Sequence, residues 1–369
     1  MTVCDKDKCA GCMLCVEVCK KDAIHIEDTL NAYNAIIDEN KCINCNACHN
    51  KCPQNKVPEK KNPIVWYQGW NKNDNIRAKS PSGGVGTALT SQFIKTGGYV
   101  CSCMFKDGEF CFDITNDPEI AMSFGGSKYV KSNPTGVYPK ILEKLKADNK
   151  VLFIGLPCQV AAVKNYVGDR YAENLYLVDL ICHGTPSPKL LDKFLNQYHK
   201  SLASIKEIKF RLKAKMQIVV DDEGIVCKGV SDKYTIGFLN GLTYTKNCYS
   251  CNYASESRIS DITIGDSWGS KLPVEEAKKG ISLMVVQTAK GDALIKDSEI
   301  ECFDVDKEIA KNNNGQLVSP MTMPNVRESF FEKIKVKKFN KLILTRYKKD
   351  CFKQDVKYLM IKLHIINQG

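Results

Sequence analysis

The stretch VLFIGLPCQVAAV, residues 151–163, opens with four bulky apolar residues, breaks at Gly155-Leu156-Pro157, and continues with small and apolar side chains. A short apolar run closed by glycine and proline, then a run of helix-compatible residues, reads as a buried strand feeding a helix. Cys158 sits at the turn between them. Outward from this unit the alternation recurs. GGYVCSCMF comes before a helix near 137–146, KVLFIG before a helix near 159–167, and NLYLVDLIC before a helix from 188 to about 200. DITIGD and SLMVVQT follow later, with a helix after Ala289. From IKEIKFRLK through QIVVDDEGIVCKG the pattern is strand and hairpin. The fold class is therefore α+β, with a mixed α/β body whose strand order stays open at this level.

A chain of 369 residues suits two or three domains. Its 43% hydrophobic and 26% charged content is ordinary for a globular protein. No run approaches the roughly 18 apolar residues of a membrane span, and the opening MTVCDKDKCAGC lacks signal or transit character. The expectation is a cytoplasmic protein without a transmembrane segment. The nineteen cysteines recur in C-x2-C spacings in a long chain, which favours metal binding over disulfides.

Charge is uneven. The net charge is +11, and residues 326–369 hold twelve Lys/Arg against four acids, a balance of +8. Such a basic helical tail is either a solvated face or a dock for an acidic protein, a membrane surface or nucleic acid. Without interleaved aromatics, nucleic acid is the poorest fit.

The strongest motifs are CAGCMLCVEVCK, with Cys9, Cys12, Cys15 and Cys19, and CINCNACHNKCP, with Cys42, Cys45, Cys48 and Cys52. Both read C-x2-C-x2-C-x3-C, and each cysteine recurs at an offset of 33 residues. This is the bacterial two-cluster ferredoxin pattern, in which the fourth cysteine reaches the other cluster. It predicts Cys9, Cys12, Cys15 and Cys52 on one 4Fe–4S centre, and Cys42, Cys45, Cys48 and Cys19 on the other. Zinc is the competing reading of the C-x2-C pairs. Pro53 follows Cys52 as the pattern expects, whereas Lys20 follows Cys19. Cys4 lies outside the repeat and reads as a bystander. The expected domains are 1–60 (ferredoxin type), 61–325 (body) and 326–369 (basic helical tail).

In the body, Cys158 and Cys182 follow apolar strands, and Cys248 and Cys251 form the C-x2-C pair NCYSC. Singly, the first two read as buried core thiols. Cys182 beside His183 suggests a nucleophile, but neighbours in a strand point to opposite faces. Together, the four match the ligand count of a third 4Fe–4S centre at a sheet's carboxyl edge. Cys101, Cys103, Cys111, Cys227, Cys302 and Cys351 read as packing or surface residues. SPSGGVGTALTSQF, residues 80–93, puts glycines before a helix near 87–96. It is either a plain turn and cap or a phosphate-binding helix start.

Taken in order, SPSGGVGTAL, GGSKYVKSNP, VLFIGLPCQVAAV, NLYLVDLICHGTPSP, NCYSCNYASESRISDITIGDSWG and KGISLMVVQT resemble the coenzyme F420 hydrogenase/dehydrogenase beta-subunit family. A two-cluster ferredoxin domain precedes them. The resemblance covers about 80–288. It implies an iron–sulfur flavoprotein oxidoreductase with FAD and a body 4Fe–4S centre on Cys158, Cys182, Cys248 and Cys251. It implies flavin contacts from Ser82, Gly83, Gly84, Thr87, Lys128, Ser132, His183 and Asp266. Electrons would pass from ferredoxin or another redox partner, through the clusters and FAD, to a small organic substrate or deazaflavin. The alternative is an electron-transfer subunit of a larger complex. No nickel or molybdenum site is legible. No proton donor is assigned, with His183, Lys128 and Asp266 candidates by location, and a homo-oligomer is compatible with the chain.

Overall fold

The computed structural model describes residues 1–213 and 215–366, so the last three residues of the expected tail lie outside the described residues. The chain is α+β, with a ferredoxin-type N-terminal domain and a mixed α/β body. In the N-terminal part, β1 (Ile24–Asp28) and β2 (Tyr33–Ile37) pair antiparallel, Ile24 opposite Ile37. These strands separate the two cysteine motifs, and each motif runs into a five-residue helix, Leu14–Val18 and Ala47–Lys51.

The body strands are β3 (Val65–Asn71), β4 (Tyr99–Lys106), β5 (Glu109–Thr115), β6 (Val151–Gly155), β7 (Leu175–Leu180), β8 (Ile208–Leu212), β9 (Lys215–Val220), β10 (Glu223–Gly224), β11 (Ile262–Asp266), β12 (Ser282–Val286) and β13 (Ile300–Asp304). Eight of them form one sheet in the order β13-β3-β12-β11-β7-β6-β4-β5. Its centre, β4-β6-β7-β11, is parallel, and antiparallel strands flank it. Both faces are covered, so its central strands read as apolar runs. Leu152 and Ile154 of β6 pack with Val85, Leu89 and Phe93 of the Val85–Lys95 helix. Val151 and Phe153 pack on the other face with Ile141 and Leu145 of one helix and Val160 and Val163 of the next. Alternation along one strand therefore serves two layers.

A second sheet, β10-β9-β8, is antiparallel. It packs with the Pro188–Leu195 helix and with the basic tail, where Phe330, Phe339, Leu342 and Ile343 are buried. Full burial of one such side chain contributes about 1.5–3 kcal/mol. The positive charges of this segment ride on helices Arg327–Lys333 and Phe339–Arg346, which are anchored in the core. Arg327 itself is buried, donating to the carbonyls of Tyr244 and Asn31. Among the described residues no helix is long and apolar enough to cross a membrane.

Because β4, β6, β7 and β11 run parallel, their carboxyl ends share one edge. Cys158 follows β6 there, in the first turn of the Pro157–Val167 helix, where Pro157 suits the start of a helix. Cys182 follows β7, but β7 ends at Leu180. Cys182 and His183 thus lie in a loop, and the alternation of strand neighbours does not govern where they point.

Candidate functional site

The repeat is carried by the backbone as well as by the cysteines. Gly11 and Asn44, 33 residues apart, both have positive φ (68° and 55°), as do Met13 and Asn46 (60° and 57°). Left-handed residues fold each loop tightly around its thiols. The amides of Gly11 and Asn44 donate to the sulfurs of Cys9 and Cys42, each at 3.4 Å. Cys19 and Cys52 cap the two short helices. Amide donors to sulfur favour a charged thiolate, the form that binds metal.

The thiols gather as the spacing anticipates. Burial, then the neighbouring thiolates of Cys15, Cys9 and Cys52, pushes the Cys12 thiol well up. Cys15 is raised by burial, with further contributions from Cys9 and Cys52. Burial raises Cys48, with Cys19 and Cys45 among its neighbours. Like charges at close quarters hold such thiols protonated until a cation replaces the protons. Cys4, the expected bystander, packs in the same core as Cys9 and Cys52. It is buried and pushed up chiefly by hydrogen bonding to Cys52 and Cys9. The same contacts pull Cys9 down, and Cys52 down to about 6. Nothing in its position outside the repeat signals this contact.

The body thiols form a third neighbourhood. Cys158 is pushed up to about 12 by burial, with Lys131 opposing and Cys251 and Cys248 adding to the rise. Cys182 is raised by burial and then by Cys248, Cys158 and Cys251. The amide of Thr185 donates to Cys248 sulfur at 3.5 Å, and that of Tyr253 to Cys251 sulfur at 3.4 Å. Among the described residues no three His, Cys, Asp or Glu side chains are grouped tightly enough for one metal ion. A single zinc draws its sulfurs to about 2.3 Å from one point, whereas a four-iron cube takes one thiolate on each iron. Four cysteines converge here, and two of them accept amide hydrogen bonds at sulfur.

The first and third neighbourhoods share one core. Cys12, Tyr138 and Tyr253 are buried within it, and Cys158 and Cys251 pack against it. The Tyr138 hydroxyl donates to the Cys12 carbonyl, and the Tyr253 hydroxyl to that of Pro53 at 2.7 Å. The second motif lies outward, with Cys45 exposed and Cys42 and Cys48 half-buried.

The eight expected flavin contacts lie along the carboxyl edge. The Gly83 amide donates to Ser282 Oγ at 3.0 Å, and Ser82 Oγ donates to the Ile281 carbonyl at 3.0 Å. The turn is thus pinned to the start of β12. Gly84, with φ of 80°, caps the Val85–Lys95 helix, and Thr87 is half-buried in its first turn. Asp266 ends β11 opposite Ser282 and is held by both guanidinium nitrogens of Arg211, at 2.6 and 3.0 Å. The Arg211 guanidinium lies 5.5 Å from the Trp268 ring centre. Burial lowers the pKa of His183, with nearby Asp266 opposing. Lys128 Nζ donates to the carbonyls of Phe124, Gly125 and Gly126. Ser132 Oγ accepts from Gln159, whose carbonyl oxygen accepts from the Leu156 amide. Ser132 therefore braces the Cys158 turn. Ser82, Gly83, Gly84, Thr87, His183 and Asp266 cluster towards β11 and β12, while Lys128 and Ser132 sit beside Cys103 of β4. Sequence reasoning misses Arg211, since nothing local marks a residue whose partner lies 55 positions away. Two open hollows, about 370 and 350 Å³, lie elsewhere, around Trp70 and Arg77 and around Tyr198 and Cys227.

Residues 148–308 match the family described as the C terminus of the coenzyme F420 hydrogenase/dehydrogenase beta subunit, and residues 8–56 match the 4Fe-4S dicluster domain. The chain is therefore similar to the coenzyme F420 hydrogenase/dehydrogenase beta subunit over residues 148–308 and to the dicluster domain over 8–56. Its family segment contains β6, β7 and β11 and all four body cysteines, and its dicluster segment contains both repeats. A chain of the F420-reducing [NiFe] hydrogenase complex from Methanosarcina barkeri, solved as a xenon derivative, shares the fold. The TM-score is 0.50 at 18% identity, covering 75% of this chain and 94% of that one. No curated protein matches the sequence. Members of the hydrogenase/dehydrogenase family are oxidoreductases, and the dicluster domain makes this beta-subunit-type chain an iron–sulfur electron-transfer protein.

Proposed function

We propose that the chain takes electrons from ferredoxin or another partner protein and delivers them to FAD, and thence to a small organic substrate or a deazaflavin of the coenzyme F420 type. The observation that carries this reading is the shared core of the first-motif and body thiols, with the second motif facing solvent. Cys42, Cys45, Cys48 and Cys19 would hold an outer 4Fe–4S centre. Cys9, Cys12, Cys15 and Cys52 would hold an inner one, and Cys158, Cys182, Cys248 and Cys251 a third. Such centres supply one-electron steps, and a flavin supplies the conversion to two-electron chemistry.

This chain's own residues then bind, orient and shield. The start of the Val85–Lys95 helix offers unpaired amides to phosphate oxygens, and Gly84 and Thr87 border it. Ser82, Gly83, Lys128, Ser132, His183 and Asp266 complete the proposed cofactor edge. Lys128 and Asp266 are engaged by protein partners, so they support the edge. His183, without a side-chain hydrogen bond among the described residues, is left to hold a proton on its ring nitrogen.

The test is iron and flavin content of anaerobically reconstituted protein. Three centres give about twelve irons per chain and two about eight. Cys158→Ser is expected to lose about four irons and leave the dicluster signals in place. If wild type and variant both hold about eight, the body centre does not exist.

A second reading, an electron-transfer subunit of a larger complex, is favoured by the Lys348–Lys362 helix. Phe352, Val356 and Leu359, with Leu363 just beyond, are exposed at helical spacing, a face suited to helix-in-groove docking. Replacing Phe352 and Leu359 by Ser should release a bound partner without changing iron content. Retention of the partner excludes that face.

A further inference from the structure

Between the inner dicluster thiols and the body thiols stands a buried cation. Lys131 is 3% exposed. Its amide donates to the Pro186 carbonyl and its ammonium to the Ala10 carbonyl, both at 2.9 Å. The ammonium also lies 5.1 Å from the centre of the Tyr33 ring. Ala10 falls between Cys9 and Cys12, so the lysine reaches from the body into the first motif. Gly11 makes room for it. A β-carbon at Gly11 would lie 2.8 Å from the Lys131 stem and 2.7 Å from the Tyr33 ring.

No carboxylate lies within ion-pair distance of Lys131 among the described residues. A buried ammonium without an anion is costly, and the two loops that it bridges are those that carry the inner and the body thiols. On the body side, Pro186 follows Thr185, whose amide donates to Cys248 sulfur, and Ser132, next to Lys131, accepts from Gln159 beside Cys158 at 3.0 Å. A four-iron centre on four thiolates is a net anion, and reduction makes it more negative. Net charge and hydrogen bonding near the sulfurs set its potential.

We propose that Lys131 is a shared counter-cation of the inner dicluster centre and the body centre, holding both at higher potential than either would have alone. The outer centre lies beyond its reach. The proposal rests on the reading that these two thiol sets hold clusters. No bond forms or breaks in the step it serves. One electron leaves one centre and arrives at the next, and the ammonium keeps its protons. A charge that stabilises the added electron on either side keeps the two potentials close, so neither centre traps it.

The experiment uses the full chain, reconstituted anaerobically, as wild type, Lys131→Met and Lys131→Arg. Iron per chain is measured first, because a wild type with about eight irons overturns the underlying reading before any potential is compared. With about twelve present, each midpoint is followed by EPR-monitored redox titration. Lys131→Met is expected to keep its iron while two of three midpoints fall, each reduction equilibrium weakening at least tenfold, or about 59 mV for a one-electron couple. The third midpoint should hold, and Lys131→Arg should lie near wild type. Unmoved midpoints in Lys131→Met overturn the proposal. So does an equal fall of all three, or a Lys131→Arg variant that falls as far as Lys131→Met. If Lys131→Met sheds iron, Lys131→Arg decides: wild-type iron and potentials support a need for charge, and the same loss overturns it.

Discussion

At the scale of single residues, burial of charge governs the body's polar framework. Arg77 is 3% exposed, and its guanidinium meets the Glu276 carboxylate and the carbonyls of Glu276 and Gly280. Hydrogen bonds from Lys279 and Arg77 hold the Glu276 carboxyl below its ordinary pKa of about 4.5. A depressed carboxyl contributes stability that is complete above its unfolded pKa and disappears as pH falls through the folded one. Glu276→Gln should therefore destabilise by about 1–2 kcal/mol at neutral pH. That gap should close below about pH 4.5 in urea titrations run at each pH, and a gap independent of pH would mean that the loss does not come from the ionised carboxylate. Asp266 offers a second case. Asp266→Asn leaves Arg211, which is 9% exposed, without its counter-ion, and a loss of about 3 kcal/mol is expected. Such residues are opaque in the sequence. The surroundings of Cys4 and Lys131 are equally so, because they form only once distant segments have packed.

At the scale of elements, the Ser80–Gly84 turn shows what glycine does and what it is spared from. A β-carbon on Gly83 would meet the Gly69 carbonyl oxygen at 2.5 Å and the Ser282 nitrogen at 2.8 Å, both backbone atoms that cannot swing aside. On Gly86 it would meet only the tip of Ile264 at 3.4 Å. Gly83→Ala should therefore lower stability by about 1–3 kcal/mol and loosen the proposed flavin edge. Gly86→Ala should be neutral or slightly stabilising, since alanine is the better helix former. Similar thermal midpoints for the two variants would show that the turn tolerates displacement. The turn and its helix are legible from glycine followed by an apolar helical pattern. The strand that Gly83 abuts is not, because β3 and β12 come from opposite ends of the body and meet only through the sheet order.

At the scale of the whole molecule, the sequence repeat and the strand–helix alternation anticipate both the dicluster domain and the α/β body. An offset of 33 residues is visible without structure, and the structure repeats it in left-handed residues and amide–sulfur bonds. What lies hidden is how the parts join, since that depends on Tyr138, Tyr253, Lys131 and Arg327 finding carbonyls more than a hundred residues away. Unequal exposure of the two motifs gives a prediction. With Cys45 exposed, and Cys9, Cys12, Cys15 and Cys52 buried, a chelator or air should strip the outer centre first. EPR should then lose one dicluster signal while the other persists, and simultaneous loss would contradict the layering.

The hydrogen bonds that clamp the N-terminal domain to the body have a kinetic consequence. Carriers that swing on a tether deliver charge at a pace set by their tumbling through solvent. Here Ala10, Cys12, Asn31 and Pro53 are all gripped by side chains of the body and tail, so the spacing between the proposed inner and body centres does not fluctuate with that motion. Internal transfer should be indifferent to added glycerol or to extra residues in the 57–62 connection. Any viscosity dependence of turnover would then belong to the encounter with the external partner.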